Sequence, residues 1–247
     1  MLDKIIKLGY SSVEAKELIK VSKNIEDDYN RLLKEYPIQY LIGYVNFYGY
    51  KINVNENVLI PRYETEYLVE KTIKYIQNIF NDEIINVLDI GCGSGAISIA
   101  LNNETKSLVD AIDISDSAIE VAKINIKENN SKVNVFKSDI FSNVKSKYNV
   151  IISNPPYIDK NEKIMSCVYK YEPHIALFAG NNGLFFYEKI LKEANQFLKD
   201  KYIIAFEIGM NQGNDIKLLA NKYFPNNKII IEKDLSNKDR YAFIINK

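Results

Sequence analysis

From about residue 84 onward the chain alternates short apolar runs with longer amphipathic ones, and that alternation limits the folds open to it. Ile84–Ile90, Leu108–Asp113, Val133–Phe136, Tyr148–Ser153 and Tyr202–Ile208 read as strands. Between them Ala96–Leu101 begins a helix, and Asp116–Glu128, Leu184–Leu198 and Ile216–Phe224 carry helical spacing. Strands alternating with helices predict an α/β, doubly wound, mostly parallel sheet with helices on both faces. Lys228–Glu232 and Tyr241–Ile245 follow one another without a helix between them. They are expected to pair antiparallel and close the sheet.

The first strand of this series runs into Gly91-Cys92-Gly93-Ser94-Gly95 and then a helix. Glycines at that junction permit a tight turn and the close approach of a ligand to the backbone, at the start of the helix. Asp113 ends the next strand, about 20 residues beyond the loop, where a carboxylate accepts from ribose hydroxyls. Strand, loop and acid together predict a nucleoside cofactor. Gly91-x-Gly93-x-x-Ala96 also satisfies the dinucleotide fingerprint, so the loop alone does not separate NAD from S-adenosyl-L-methionine. Asp139 and Ile140 follow the third strand. They suit an adenine amino group and an adenine ring face, and a solvated turn is the other reading of the same residues.

The fourth strand ends in Asn154-Pro155-Pro156-Tyr157. Neither proline donates an N–H and both hold φ near −65°. Asn154, preceding a proline, is pushed towards an extended backbone. The result is a stiff tip with an amide side chain, acceptor carbonyls and an aromatic ring. It suits a substrate that brings N–H groups, although a strand terminator without a ligand reads the same. In a doubly wound sheet, ligands bind beyond the carboxyl ends of the strands where strand order reverses. The strands ending at Gly91 and Asn154 are expected to flank that point, so the tip faces the reactive part of the cofactor. A hydride transferase has no use for such a tip, whereas a methyltransferase acting on a planar –NH2 does.

Composition narrows the class. The 247 residues are 47% apolar, enough for a sizeable core. Lys+Arg and Asp+Glu both number 32, which leaves no general electrostatic footprint for wrapping duplex nucleic acid. Two cysteines, Cys92 and Cys167, and a single histidine, His174, assemble neither a disulfide framework nor a Cys/His zinc set, so no metal site is expected. Met1-Leu2-Asp3-Lys4 lacks the apolar core of a signal peptide, and no apolar run approaches the ~18 residues of a membrane span. A soluble, cytoplasmic protein without membrane contact is expected.

Upstream of the sheet, residues 1–36 read as a small unit of two or three short helices. Its apolar stripes are Leu2, Ile5, Ile6 and Leu8, then Val13, Leu18, Ile19 and Val21, and Ser11 with Glu14 forms a helix start. So short a unit buries little alone and is expected to pack on the main domain or on a partner. Residues 37–62 form a hairpin linker, alternating around Gly49 in Phe47–Val54. A helix begins near Glu64 and runs to Phe80, opening the main domain over residues 63–247.

With these residues in view, the chain resembles the class I S-adenosylmethionine-dependent methyltransferases, and within them the PrmC/HemK family of protein-(glutamine-N(5)) methyltransferases. The resemblance rests on Pro37–Gly43, Phe47-x-Gly49, Val58–Arg62 with Glu64-Thr65-Glu66, Val87–Gly95 and Ser153–Ile158. Later signatures are Glu172-Pro173, Ala176-Leu177, Gly183-Leu184 and Asp234–Arg240. It implies a Rossmann-like sheet and a methyl donor, S-adenosyl-L-methionine, bound by Gly91, Cys92, Gly93, Ser94, Gly95, Asp113, Asp139, Ile140 and Asn154. It implies methyl transfer to the glutamine of the Gly-Gly-Gln motif of class I peptide chain release factors. On the same resemblance, Asn154, Pro155 and Tyr157 are expected to carry the chemistry and Pro156 to complete the substrate site. The family's N-terminal helical domain is larger than residues 1–36. Tyr63 stands where the family usually has Pro, and Ile140 where an aromatic is common.

Other residues are read more plainly. Arg62 and Glu64 order the cofactor's methionine end or the hairpin, with plain surface structure an equal reading; Glu172 is expected to cap or pin the substrate loop, and His174 to be structural. Two competing functions share these motifs: an adenine-N(6) nucleic acid methyltransferase, which presents a flipped base to the same tip, and a non-catalytic nucleoside-binding protein. Charge balance weighs against the first and the intact Asn154–Tyr157 tip against the second.

Overall fold

The computed structural model of the chain describes residues 1–81 and 83–247. Three short helices open it: α1 (Leu2–Lys7), α2 (Ser12–Val21) and α3 (Ile25–Leu32). Ser11 caps α2 through a reciprocal pair with Glu14: its Oγ accepts from the Glu14 N–H, and the Glu14 carboxylate accepts from the Ser11 N–H at 3.0 Å. A fourth helix, α4 (Ile38–Ile42), follows, and Ile38 joins Ile5, Ala15, Leu18 and Leu32 in a small core of their own. The apolar stripes expected here are only partly buried. Ile5 and Leu18 are inside, but Val13 is 74% exposed, and Ile6, Leu8 and Ile19 also face out. Helices of two to three turns present one face to so small a core, and a neighbour about 100° round the helix falls outside it.

The hairpin pairs β1 (Tyr44–Phe47) with β2 (Tyr50–Asn53), Tyr44 opposite Asn53 and Phe47 opposite Tyr50. Its two-residue turn holds Tyr48 at φ 51° and Gly49 at φ 84°, the left-handed pair whose twist matches that of the strands. Phe47, Ile52 and Val54 lie in the core of the main sheet, so the hairpin is anchored by burial as well as by its own ladder.

The main domain follows as α5 (Tyr63–Phe80), β3 (Asn86–Ile90), α6 (Ala96–Glu104), β4 (Leu108–Asp113), α7 (Asp116–Glu128), β5 (Val133–Lys137) and β6 (Tyr148–Ser153). Next come a short excursion, β7 (Ile158–Asp159), α8 (Ser166–Tyr171) and β8 (Phe178–Ala179), then α9 (Phe185–Ala194), β9 (Leu198–Glu207), α10 (Gly213–Tyr223), β10 (Lys228–Lys233) and β11 (Asp239–Asn246). The seven-stranded sheet has the order β10-β11-β9-β6-β3-β4-β5. Only β11 runs against the rest, pairing antiparallel with both neighbours. This is the doubly wound, mostly parallel sheet expected from the alternation.

Strand periodicity sorts the core into two layers. Val87, Val150, Ile152, Ile203 and Ala205 face the side covered by α5, α6 and α7. Leu88, Ile151, Ile204 and Phe206 face the side covered by α9 and α10. The chain moves outward from β3 through β4 to β5, then returns to place β6 on the other flank of β3. The reversal of strand order therefore falls between β3 and β6, with Val87 beside Val150 and Asp89 beside Ile152. Ser153 Oγ donates to the Ile90 carbonyl at 2.7 Å and ties the two strand ends together.

The largest boundary differences from the hydropathy reading, four residues each, fall where α9 passes into β9. Helix α9 stops at Ala194 and gives way to a 3-10 turn over Asn195–Phe197. Strand β9 starts at Leu198 rather than Tyr202, because its first half, Lys199-Asp200-Lys201, is polar and mostly exposed and so carries no apolar signal. Among the described residues no helix is long and apolar enough to cross a membrane.

Candidate active site

At the strand-order reversal two clefts open side by side. The first lies over the carboxyl ends of β3, β4 and β6 and is lined by Gly91, Gly93, Asp113, Asp139, Ile140 and the Asn154-Pro155-Pro156 tip, among others. The second lies beyond the tip and is lined by Arg62, Tyr157, Met165, Val168 and Glu207, among others. Leu59, Asn154, Pro155 and Ala176 line both. The Asn-Pro step is thus the wall between two spaces and faces each of them.

The floor of the first cleft follows from the glycine loop. Gly91 and Cys92 donate their N–H groups to the Ile112 carbonyl, which folds the loop back over β4. A side chain built on Gly91 or Gly93 would point into open space, both residues having positive φ, so the loop leaves a cradle that a Cβ would fill. Gly95 serves differently: a Cβ there would meet Ala122 of α7 at 3.3 Å, so it allows the loop to pack on that helix. Cys92 is buried in the core and Ser94 is buried at 4% exposure, its carbonyl accepting from Asn125 Nδ2 at 2.9 Å. Of the five loop residues, Gly91 and Gly93 line the cleft while Cys92, Ser94 and Gly95 do not. Burial raises the Cys92 thiol pKa well above its ordinary value, with Asp89 and Asp113 adding to the effect.

Asp113 closes the other side. Its Oδ2 accepts from Gly93 N at 2.9 Å and its Oδ1 from Ser115 N at 2.9 Å. Burial raises its pKa, opposed by those backbone donors. Further out, Asp139 pairs with Lys189 at 3.0 Å, and Ile140 is buried with φ 50°, its carbonyl accepting from Ser138 Oγ. A β-branched residue in the left-handed region is strained, and such strain persists only where the surroundings impose it. The far wall was not legible as site residues in the sequence: Asn57, Val58 and Leu59 of the hairpin linker, with Pro173 and Ile175, reach over the cleft.

Arg62 and Glu172 hold that wall. The buried Glu172 carboxylate accepts from Arg62 Nη2 at 2.5 Å and from the Ile60 N–H at 3.2 Å. The linker and the excursion after β6 are thereby fixed to one another across 110 residues. Glu64 stays outside both clefts with an exposed side chain, and its carbonyl accepts from Tyr241 Oη. His174 hydrogen-bonds the Tyr169 carbonyl at 2.7 Å and packs against Phe178.

A polar chain supports the tip from behind. Asn154 Nδ2 lies 3.2 Å from Thr65 Oγ1, Thr65 Oγ1 lies 2.7 Å from Glu207 Oε2, and Tyr157 Oη lies 3.4 Å from Glu207 Oε1. Glu207 ends β9 and is 2% exposed. Burial raises its carboxyl pKa, against the Thr65 hydrogen bond and the Arg240 charge. Burial likewise raises the Tyr157 hydroxyl, so it stays protonated and donates. Sequence reasoning missed Thr65 and Glu207 as site residues. The signal was present in Glu207, a charge closing an apolar strand as Asp113 does.

The arrangement offers a cradle for a nucleoside on one side, a polar-ended slot on the other, and one amide between them. Comparison with known proteins gives the family of the chain. Residues 70–170 match the family model described as "Methyltransferase small domain". The chain is 44% identical over 213 residues to the release factor glutamine methyltransferase of Bacillus cereus, covering 84% of this chain and 75% of that protein. It is 41% identical over 224 residues to the protein of the same name from Streptococcus pneumoniae, covering 89% and 78%. Among solved structures, a methyltransferase from Pyrococcus furiosus superposes with a TM-score of 0.61 at 22% identity, covering 88% of this chain and 93% of that one.

Proposed function

Since the chain belongs to the release factor glutamine methyltransferase family, we propose that it methylates the side-chain amide nitrogen of a glutamine in class I peptide chain release factors, within their Gly-Gly-Gln motif. S-adenosyl-L-methionine is the proposed donor, and its sulfonium supplies the methyl as an electrophile. Gly91, Gly93, Asp113, Asp139 and Ile140 are the residues proposed to hold it in the first cleft. The cradle at Gly91 and Gly93, the Asp113 carboxylate and the apolar cover of Ile140 fit a nucleoside. The glutamine side chain enters from the second cleft.

The observation that carries this reading is that Asn154 and Pro155 line both clefts. An amide nitrogen is a poor nucleophile because its lone pair is delocalised into the carbonyl. The Asn154 side-chain oxygen and the Pro155 carbonyl each accept one N–H of the substrate –NH2. Those two bonds fix its rotation and turn its π face towards the first cleft. They strengthen as the nitrogen becomes positive, so their effect falls mainly on the transition state. Tyr157 packs beside the amide plane. No side chain need remove a proton before methyl transfer, because the nitrogen becomes acidic only after it gains the methyl.

The test is incubation of the purified protein with S-adenosylmethionine and a full-length class I release factor, followed by mass spectrometry of the Gly-Gly-Gln peptide. A methyl on that glutamine is expected. In Asn154→Ala the barrier should rise by about 2–4 kcal/mol, the cost of removing one oriented polar group. Absence of the methyl in a protein that binds the cofactor overturns the assignment.

A further inference from the structure

The side chains behind the tip form a chain in which each hydrogen bond dictates the direction of the next. An ionised carboxylate has acceptors only. Both oxygens of Glu207 are engaged by hydroxyls, Oε2 by Thr65 at 2.7 Å and Oε1 by Tyr157 at 3.4 Å. With Glu207 ionised, the Thr65 proton is committed to it, and the remaining capacity of that hydroxyl is as an acceptor. Asn154 faces Thr65 Oγ1 at 3.2 Å and must offer its Nδ2 there. The Asn154 oxygen is then turned away from Thr65 and left for another partner. Reversing the amide would set two acceptors against each other in a part-buried site, at the cost of an unmade hydrogen bond.

Three elements hold this chain. Thr65 sits in the first turn of α5 and is 5% exposed; Glu207 ends β9; Asn154 and Tyr157 flank the prolines after β6. The Glu207 main chain is fixed as well, its carbonyl accepting from the buried Tyr187 hydroxyl at 2.8 Å. The Arg240 charge opposes the effect of burial on Glu207, its guanidinium anchored on Asp234 and on the Ile208 carbonyl.

We propose that Glu207 is a positioning residue for the methyl-transfer site: through the Thr65 hydroxyl it fixes the Asn154 amide with its oxygen towards the substrate nitrogen, and through the Tyr157 hydroxyl it fixes the ring beside that nitrogen. The proposal rests on the reading that Asn154 accepts a substrate N–H. It adds that the choice between acceptor and donor at that position is made by a carboxylate that need not touch the substrate.

The test compares Thr65→Val, Thr65→Ser, Glu207→Leu and the double variant Thr65→Val/Glu207→Leu, each checked for folding by its thermal transition and for S-adenosylmethionine binding by calorimetry. Thr65→Val is nearly isosteric and removes only the relay hydroxyl. It is expected to lower kcat on the release factor by roughly ten- to hundredfold, the scale of a misoriented reacting group, with cofactor affinity unchanged. Thr65→Ser restores kcat. The double variant is no slower than Glu207→Leu alone, because both changes break one chain. Wild-type kcat in a folded Thr65→Val, or losses that multiply in the double variant, overturns the relay. A second readout needs no substrate. The side-chain 1H–15N signals of Asn154, identified by their loss in Asn154→Asp, are expected to shift in Thr65→Val and return in Thr65→Ser. Unchanged signals in Thr65→Val overturn the relay. If the wild-type protein methylates no release factor, the proposed function fails while these signals still decide the relay.

Discussion

A side chain on Gly183 would meet the Tyr157 carbonyl oxygen at 2.2 Å. That approach is closer than any Cβ tolerates, and the atom it meets is backbone. The same carbonyl accepts from Gln212 Nε2 at 3.1 Å, and Gly183 itself has φ +81°. The segment before α9 therefore presses on the end of the Asn-Pro-Pro-Tyr tip and sets where the chain turns after it.

Gly183→Ala should accordingly be expensive twice over. The left-handed backbone alone costs a non-glycine residue about 1 kcal/mol or more, and the clash must be relieved by moving either Tyr157 or α9. Gly183 lines neither cleft. The expected outcome is a loss of stability of about 1–3 kcal/mol, a fall in kcat for methyl transfer, and little change in the dissociation constant of S-adenosylmethionine. Chemical denaturation, calorimetry and steady-state kinetics read the three quantities separately.

Ile140 gives a prediction in the favourable direction. It is a β-branched residue held at φ 50° on the wall of the first cleft. Ile140→Phe removes the branch at Cβ and offers a flat ring to an adenine. An aromatic pair contributes about 0.5–1.5 kcal/mol beyond its buried area. S-adenosylmethionine is expected to bind several-fold more tightly, measured by calorimetry. Equal or weaker binding would place the adenine elsewhere.

Arg62 and Glu172 bear on the second cleft. In Arg62→Met the buried Glu172 carboxylate keeps the Ile60 N–H but loses its cation. Breaking a fully buried pair costs about 3–5 kcal/mol; with Arg62 34% exposed, solvent screening brings the expectation down to about 2 kcal/mol. Arg62 lines the second cleft and not the first. Its loss should raise KM for the protein substrate more than it weakens the cofactor, which initial rates at varied release factor and varied S-adenosylmethionine distinguish.

These relationships differ in how far the sequence reveals them. The glycine loop after β3 and the Asp113 carboxylate were legible because strand hydropathy, glycine spacing and the following acid lie within one short stretch. The tip at Asn154 was legible because two prolines stop a strand abruptly. Thr65 and Glu207 meet across 142 residues, and nothing local to either announces the other. Asn125 is a similar case: buried in α7, it bonds the hairpin at Asn53 and the loop at Ser94. The excursion between β6 and α9 stayed unread for another reason. Its two-residue strands and six-residue helix are too short to show a period and too short to be stable alone. Packing creates them: Tyr171 Oη reaches the Lys34 carbonyl, and Lys170 pairs with Glu35 at 2.8 Å. These contacts join α8, on the wall of the second cleft, to the N-terminal helices.

Asp89 supplies a prediction about pH. It stands in β3 beneath the glycine loop with no exposure. Its Oδ2 accepts from Ser98 Oγ while its Oδ1 has no partner among the described residues. Burial pushes its pKa up to about 7, the nearby Asp113 adding to the rise and the Ser98 bonds opposing it. In the unfolded chain an aspartate titrates near 3.9. Between those values the folded state binds the proton and the unfolded state does not. Stability must therefore fall as pH rises from about 4 to about 7, and stay lowered above that range. A gap of three pKa units corresponds to roughly 4 kcal/mol. Asp89→Asn cannot ionise, so urea denaturation of the variant between pH 5 and 8 should lack this part of the slope. The difference in stability between variant and wild type should move in the variant's favour as pH rises. A difference that is flat across that range would mean Asp89 remains ionised throughout, its unpaired oxygen met by a donor such as an ordered water.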